Sequence, residues 1–248
     1  MQIKHDSDGP LNSSTLPAIT AIVPAAGIGS RMAAKVAKQY LLLGEQTVLE
    51  HTLSALLAHP RINRIVVVLH PEDDTFAQLP LAQHPQISTV IGGAERVDSV
   101  LQGLYAMPDN HWVLVHDAAR PCIQQHDIDA LLSNINDVDF AGAILATPVI
   151  DTMKRARQEH QTPSIEHTVD RESLWHALTP QLFASADLTD AIVNAQAQQH
   201  LITDEASAME YAGYHISLVS GDPSNIKITR PEDLALAHFF LTQQGRIT

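Results

Sequence analysis

Cysteine occurs once in the 248 residues, at Cys122, so the chain can close no internal disulfide and build no thiolate-rich zinc site. A reducing compartment, the cytoplasm, is the expected setting, and Cys122 is expected to be a buried thiol, since no histidine base stands at a diagnostic spacing from it. Positive charge is also scarce. Fifteen Lys and Arg face 28 Asp and Glu, a formal net charge of -13. Phosphate backbones and anionic bilayers reward an excess of Lys and Arg, so neither nucleic acid nor a membrane is an expected partner. No apolar run approaches the roughly 18 residues of a spanning helix. The polar opening, with Asp6, Asp8, Gly9 and Pro10, lacks the apolar centre of a signal peptide, and residues 1–16 read as a flexible tail. The 14 histidines form no HExxH or other short metal pattern and are expected mostly at the surface or in turns. A GxxxxGK[ST] sequence is missing too, which argues against a P-loop kinase or ATPase.

What is present is ordinary globular composition, 45% hydrophobic and 17% charged, arranged as short Val- and Ile-rich runs that alternate with helical patterns. Strands are expected at 18–23, 65–69, 87–91, 111–116, 141–147, 216–219 and 226–229. Helices are expected at 47–58, 95–106, 127–136, 186–198, 204–211 and 231–242. That alternation predicts an α/β fold, a Rossmann-like, mostly parallel sheet flanked by helices. Residues 17–248 read as one domain. The polar stretch at about 148–173 breaks the rhythm, and its alternating Ile165, His167 and Val169 predict an extended β-arm.

The first strand runs into Pro24, Ala25, Ala26, Gly27, Ile28, Gly29, Ser30, Arg31 and Met32, a small-residue loop at the carboxyl end of a strand, where open α/β sheets bind ligands. Small residues let backbone amides approach phosphate oxygens. Arg31, Lys35 and Lys38 then concentrate positive charge within an acidic chain. Glycine serves a plain tight turn equally well, so the loop alone leaves both readings open. Met32 stands where the dinucleotide fingerprint needs its third glycine, which weakens a dinucleotide reading.

Further segments follow in order: Ala37-Lys38-Gln39-Tyr40, Gly92-Gly93-Ala94-Glu95-Arg96-Val97-Asp98-Ser99, Val115-His116-Asp117-Ala118-Ala119-Arg120-Pro121, Asp151-Thr152, His167-Thr168-Val169-Asp170-Arg171, Thr203-Asp204-Glu205-Ala206-Ser207 and Asn225-Ile226-Lys227-Ile228-Thr229. Together with the glycine loop they closely resemble the 2-C-methyl-D-erythritol 4-phosphate cytidylyltransferase family. The resemblance implies transfer of the cytidylyl group of CTP to methylerythritol phosphate, with Mg2+, by a homodimer whose arms reach the partner's site.

It also implies roles for residues. Arg31 and Lys38 hold the triphosphate and, with Arg171 and Lys227, form the catalytic set. Ala25, Ala26, Gly27, Gly93, Ala94, Ser99, Asp117 and Ala118 bind CTP, and Asp117 stands near Mg2+. Arg120, Thr152, Arg171, Thr179 and Lys227 contact methylerythritol phosphate, Arg171 and Thr179 from the other subunit. Ala94 departs from the pattern, because many relatives carry Asp there; recognition through the backbone tolerates the change. Asp204 and Glu205 read locally, as first-turn acids of a helix capped by Thr203, and stay outside the candidate site. Two alternatives remain: another nucleotidyltransferase that activates a sugar or polyol phosphate, and a catalytically silent nucleotide-binding regulator on the same fold.

Overall fold

The computed structural model describes residues 17–27, 37–107, 111–133, 135, 137, 139–157 and 162–248. Its centre is a seven-stranded sheet in the order β11-β7-β10-β6-β1-β4-β5. The strands are β1 (Ile19–Pro24), β4 (Ile62–Leu69), β5 (Ile87–Ile91), β6 (Trp112–Val115), β7 (Gly142–Pro148), β10 (Trp175–Ala184) and β11 (Ser217–Ser220). β1 pairs in parallel with both β4 and β6, β4 with β5, and β11 with β7. Only β10 runs antiparallel, between β6 and β7. The sheet is therefore mostly parallel, as the alternation predicts.

Alternate residues of the central strands feed two cores, as a sheet buried on both faces requires. Ala21, Val23, Ile65 and Val67 pack with Leu49, Leu53 and Leu56 of α1 (Val48–Leu57) and Ile128 and Leu131 of α3 (Gln125–Leu132). Ile22, Val66, Val68, Val113 and Val115 face the other way, toward Val100 and Leu104 of α2 (Arg96–Tyr105) and Leu188 and Ile192 of α4 (Ser185–Ala197). α5 (Glu205–Tyr211) adds Ala208 and Met209 to this second layer, and α6 (Pro231–Gln243) closes a third cluster around Cys122 and Ile228. Local signals fix the helix starts. Thr47 accepts the Glu50 amide at 3.2 Å and gives its own amide to the Glu50 carboxylate at 2.8 Å, a reciprocal cap for α1.

Three expectations need correction. Residues 226–229 are not a strand: the Ile228 amide donates to Ala119 O at 2.9 Å, and the segment joins no sheet. β10 is a strand that the sequence pattern did not reveal. The cap of α5 is Asp204 and not Thr203; its carboxylate accepts the Ser207 amide at 3.0 Å. His51, His59 and His116 are buried, exceptions to an expectation made for most of the 14 histidines. Cys122 is buried as expected, and burial pushes its thiol up to about 12.

The arm region holds β8 (Met153–Arg157) and β9 (Ser164–Val169), an exposed antiparallel pair separate from the main sheet. β2 (Leu42–Leu43) and β3 (Gln46–Thr47) form a small hairpin before α1. The expected tail at 1–16 lies outside the described residues. Among those described, no helix is long and apolar enough to cross a membrane.

Candidate active site

β1 has one parallel neighbour on each side: the chain goes from it to β4 and on to β5, then crosses back to β6 on its other side. Such a reversal opens a crevice at the carboxyl ends of the strands. The ends of β1 and β6 deliver residues 25–27 and 116–120 to that crevice. A first cleft of about 180 Å³ lies there, lined by residues 24–27, Lys38, Gln39, residues 93–96, Ser99, residues 117–119 and Lys227. A second, of about 290 Å³, adjoins it and is lined by Arg96, Asp117, Arg120, residues 177–179, Gln181, Thr203, Asp204 and Lys227. Arg96, Asp117 and Lys227 belong to both walls.

Asp117 is the hub of this shared wall. Its Oδ2 accepts Lys227 Nζ at 2.7 Å and lies 3.5 Å from Arg120 Nε, while its Oδ1 accepts Arg96 Nε at 3.1 Å. Burial alone would raise the pKa of this carboxyl, but Arg96, Lys227 and Arg120 outweigh it and hold the group far below the usual carboxylate range. Asp117 is therefore ionised at neutral pH. Arg96 in turn gives Nη1 to Glu205 Oε1 at 2.6 Å and Nη2 to Glu205 Oε2 at 3.1 Å.

The backbone around the hub is tied by His116, which is fully buried. Its Nε2 lies 3.0 Å from Arg120 O, which can only accept, so Nε2 carries the proton. Nδ1 then accepts from the Thr179 hydroxyl at 3.0 Å, whose oxygen accepts the Asp117 amide at 3.1 Å. Thr179 reaches this point because β10 slips register against β7 between Ala177 and Gln181, a shift that re-aims side chains. Burial lowers His116 to about 4. A histidine with a lowered folded-state value stays neutral in the fold but charges in the unfolded chain, so its stability contribution is present above about 6.5 and lost as pH falls toward 4. At about 1.4 kcal/mol per tenfold change in proton affinity, the loss approaches roughly 3 kcal/mol at pH 4. Urea unfolding at pH 7 and pH 4.5 should show it, and a folded His116→Asn variant should lose less stability across the same interval.

The base of the glycine loop is held by Gln39, whose Nε2 donates to Ala25 O at 2.6 Å and Gly27 O at 3.2 Å. The Ala25 amide meanwhile extends the β1–β4 ladder by donating to Val68 O at 2.8 Å. Both backbone groups of Ala25 are thus engaged within the chain, and Ala25 serves the cleft as wall. Two hydrogen bonds of about 0.5–1.5 kcal/mol each are at stake in Gln39→Ala, which should lower stability by roughly 1–3 kcal/mol. Urea unfolding checks this. Across the cleft, Ser99 Oγ accepts the Gly93 amide at 3.3 Å and donates to Glu95 O at 3.2 Å. A side chain at Gly92 would put its Cβ 2.6 Å from Ser99 Oγ and 2.9 Å from Ala26 Cβ, so only glycine lets the two cleft walls approach this closely.

Comparison with known proteins decides the family. Residues 19–243 match the profile of IspD, 2-C-methyl-D-erythritol 4-phosphate cytidylyltransferase. The chain belongs to this family. The curated protein of that name from Klebsiella pneumoniae is 56% identical over 231 residues, 93% of this chain and 97% of that one. The Escherichia coli protein is 57% identical over 225 residues, covering 91% and 94%. Among solved structures, the Francisella tularensis 2-C-methyl-D-erythritol 4-phosphate cytidylyltransferase superimposes with a TM-score of 0.77 at 31% identity, covering 90% of this chain and all of that one. As a member of the IspD family the chain is a cytidylyltransferase, and so a nucleotidyltransferase.

The residues that the family resemblance points to are distributed unevenly. Ala25, Ala26, Gly27, Lys38, Gly93, Ala94, Ser99, Asp117, Ala118 and Lys227 all line the first cleft, and Arg120, Thr179 and Lys227 the second. Thr179 lines the second cleft of its own chain and meets Asp117 there, where the resemblance expects it from the other subunit. Thr152 and Arg171 lie exposed in the arm and line neither cleft. Arg31 and Lys35 fall outside the described residues. Sequence reasoning missed Arg96 and Glu205 as site residues, together with Gln39, His116 and Gln181, each of which makes a contact with a distant segment.

Proposed function

We infer that the chain transfers the cytidylyl group of CTP to 2-C-methyl-D-erythritol 4-phosphate, in the non-mevalonate route to isoprenoids, across the wall that Arg96, Asp117 and Lys227 share. That shared wall is the observation that carries the assignment of residues, because it puts two anion-sized clefts on either side of one cationic array. CTP occupies the first cleft, its base against residues 93–99 and its triphosphate toward Lys38 and the glycine loop. The methylerythritol phosphate group enters the second, beside Arg120 and Lys227. One of its phosphate oxygens attacks the α-phosphorus; the new O–P bond forms, the bond to the β-phosphate oxygen breaks, and pyrophosphate leaves with that electron pair. The product is 4-diphosphocytidyl-2-C-methyl-D-erythritol. Such transfers depend on positioning and charge neutralisation more than on covalent help. Asp117 keeps three cationic side chains in a fixed array before either substrate arrives.

Mg2+ suits this donor set when the triphosphate brings most of its ligands. Among the described residues no three His, Cys, Asp or Glu side chains converge, whereas Mg2+ commonly takes one or two carboxylates with phosphate oxygens and water. Asp117 would hold it, Oδ1 receiving a single hydrogen bond from Arg96. Bound there, the ion would offset triphosphate charge. Pyrophosphate release requiring CTP, methylerythritol phosphate and Mg2+ together tests the whole reading, with other polyol phosphates in parallel. CTP binding without release in any combination would instead support a silent regulator.

The working unit we propose is a homodimer with exchanged arms, in the cytoplasm, as residues 17–248 fold into one domain carrying the arm at about 148–173. The hairpin of β8 and β9 exposes Ile165 and Met153, next to exposed Ile150, Leu174 and Trp175. A face of this kind is expected to be covered. The exposed arm residues Thr152 and Arg171 would then reach the partner's second cleft. Mixing inactive Arg171→Ala and Lys38→Ala subunits should restore up to about a quarter of wild-type turnover if sites draw on both chains, by random pairing of subunits. Absence of rescue, with mixed dimers demonstrated by differently tagged subunits, would count against arm exchange.

A further inference from the structure

We propose that Glu205 is a positioning residue for the Asp117 carboxylate, acting through the guanidinium of Arg96. The proposal rests on the reading of Asp117 as part of the transfer site. Glu205 opens α5, 109 residues from Arg96, and its side chain is 2% exposed. Both terminal nitrogens of Arg96 are engaged by its two oxygens, a fork-to-fork pairing that fixes the guanidinium plane. Only Nε is left for Asp117 Oδ1. The Asp117 carboxylate therefore meets Arg96 through one bond and keeps Oδ2 for Lys227 and Arg120.

Placement of Glu205 is itself determined by β10. Gln181 donates to Asp204 Oδ2 at 2.9 Å and accepts the Ala206 amide at 3.0 Å, which clamps the first turn of α5 on either side of Glu205. The same strand carries Thr179, which holds the Asp117 amide. Backbone and carboxylate of Asp117 are thus both aligned from β10, one through Thr179 and the other through α5, Glu205 and Arg96. An ion pair with one buried partner is weak evidence for stability, since apolar partners of the same volume often serve as well. What a hydrocarbon pair would not supply is the orientation of Arg96. Without Glu205, the guanidinium is released to turn its two terminal nitrogens onto Asp117 and draw the carboxylate away from Lys227.

Glu205→Gln keeps the volume and replaces one acceptor by a donor facing Arg96. In the full-length enzyme it should lower kcat by about tenfold or more, the scale at which losing an outer partner of a site residue is felt, while the Kd for CTP by calorimetry stays within about twofold. A pair that merely fastened α2 to α5 would lower the unfolding midpoint and leave kcat alone. Arg96→Lys, which keeps the charge and loses the fork, should show a comparable loss of kcat. Asp117→Asn provides the reference: in that background Glu205→Gln should cost less than about twofold more, because its route to the site is already cut. A folded Glu205→Gln enzyme with wild-type kcat beside an impaired Asp117→Asn enzyme overturns the proposal. Near-wild-type Asp117→Asn would remove the underlying reading of Asp117 and the proposal with it. Should Glu205→Gln not fold, a wild-type kcat in Arg96→Lys overturns the proposal and a loss of tenfold or more sustains it.

Discussion

Lys38→Ala is expected to cut kcat for pyrophosphate release by about 10²–10³-fold, equivalent to roughly 2.7–4 kcal/mol of barrier, with the fold intact. The chain carries a net charge of -13, so a triphosphate approaching it is met favourably only where cations are concentrated. Lys38 sits in the short 3-10 turn Lys38–Tyr40, opens into the first cleft, and donates from Nζ to Ile228 O at 3.2 Å. That bond places the ammonium beside the segment that carries Lys227, and both lysines line the first cleft. Charge that builds on the departing pyrophosphate would be met at Lys38 by a donor already in place. Alanine removes that donor and leaves the segment near Ile228 anchored by the Ile228 amide on Ala119 O at 2.9 Å. Far-UV circular dichroism and the unfolding midpoint should therefore change little. Lys38→Arg should recover part of the loss, because it restores charge with a different reach. A Lys38→Ala enzyme within about fivefold of wild-type kcat would remove Lys38 from the triphosphate grip.

Most of the sheet was legible because parallel strands buried on both faces are written as compact Val and Ile runs. β4 and β6 sit where those runs stand, extended or trimmed by a few residues. β10 was not legible, since Pro180 interrupts it and its first residues are exposed, both of which read as non-strand. The opposite error, a strand at 226–229, arose from an alternation that is real: Ile228 is buried while the Lys227 side chain opens to both clefts. The backbone there serves to bridge Ala119 and Lys38 instead of a ladder.

The same distinction separates the site residues that the sequence exposed from those it concealed. Lys38, Asp117, Arg120 and Lys227 stand in compact motifs, to which local pattern and family resemblance both point. Arg96 and Glu205 were each explained by their neighbourhoods, one as part of a helix start and the other as a first-turn acid, and nothing local announces that they meet. Gln39 and His116 act by holding backbone carbonyls and a hydroxyl at a distance, contacts that no spacing encodes. The pattern thus marks the groups that face substrates and hides those that hold them.

Asp117→Asn should lower kcat by about 10²-fold or more, the scale of losing a preorganised electrostatic element, and cost about 1.5–3 kcal/mol of stability, as expected for hydrogen bonds to a charged group. The wild-type wall sets Arg96, Arg120 and Lys227 against Asp117 and Glu205. Asn leaves those three cations facing one carboxylate, and its amide nitrogen can only donate, so one of the positions taken by Lys227 or Arg96 meets a donor in place of an acceptor. Arg120 suffers most on the stability side: its side chain is 10% exposed, and burial already lowers its proton affinity, which Asp117 partly restores. Lys227 is about a third exposed and can turn to water, and Arg96 keeps Glu205, which limits the loss of stability while removing the fixed array. The catalytic effect should therefore exceed the structural one. Kinetics, CTP calorimetry and urea unfolding on the same preparation separate the two. If kcat stays within about fivefold of wild type while stability falls, Asp117 is a fastening of the β6 end and the transfer site must be organised around other residues.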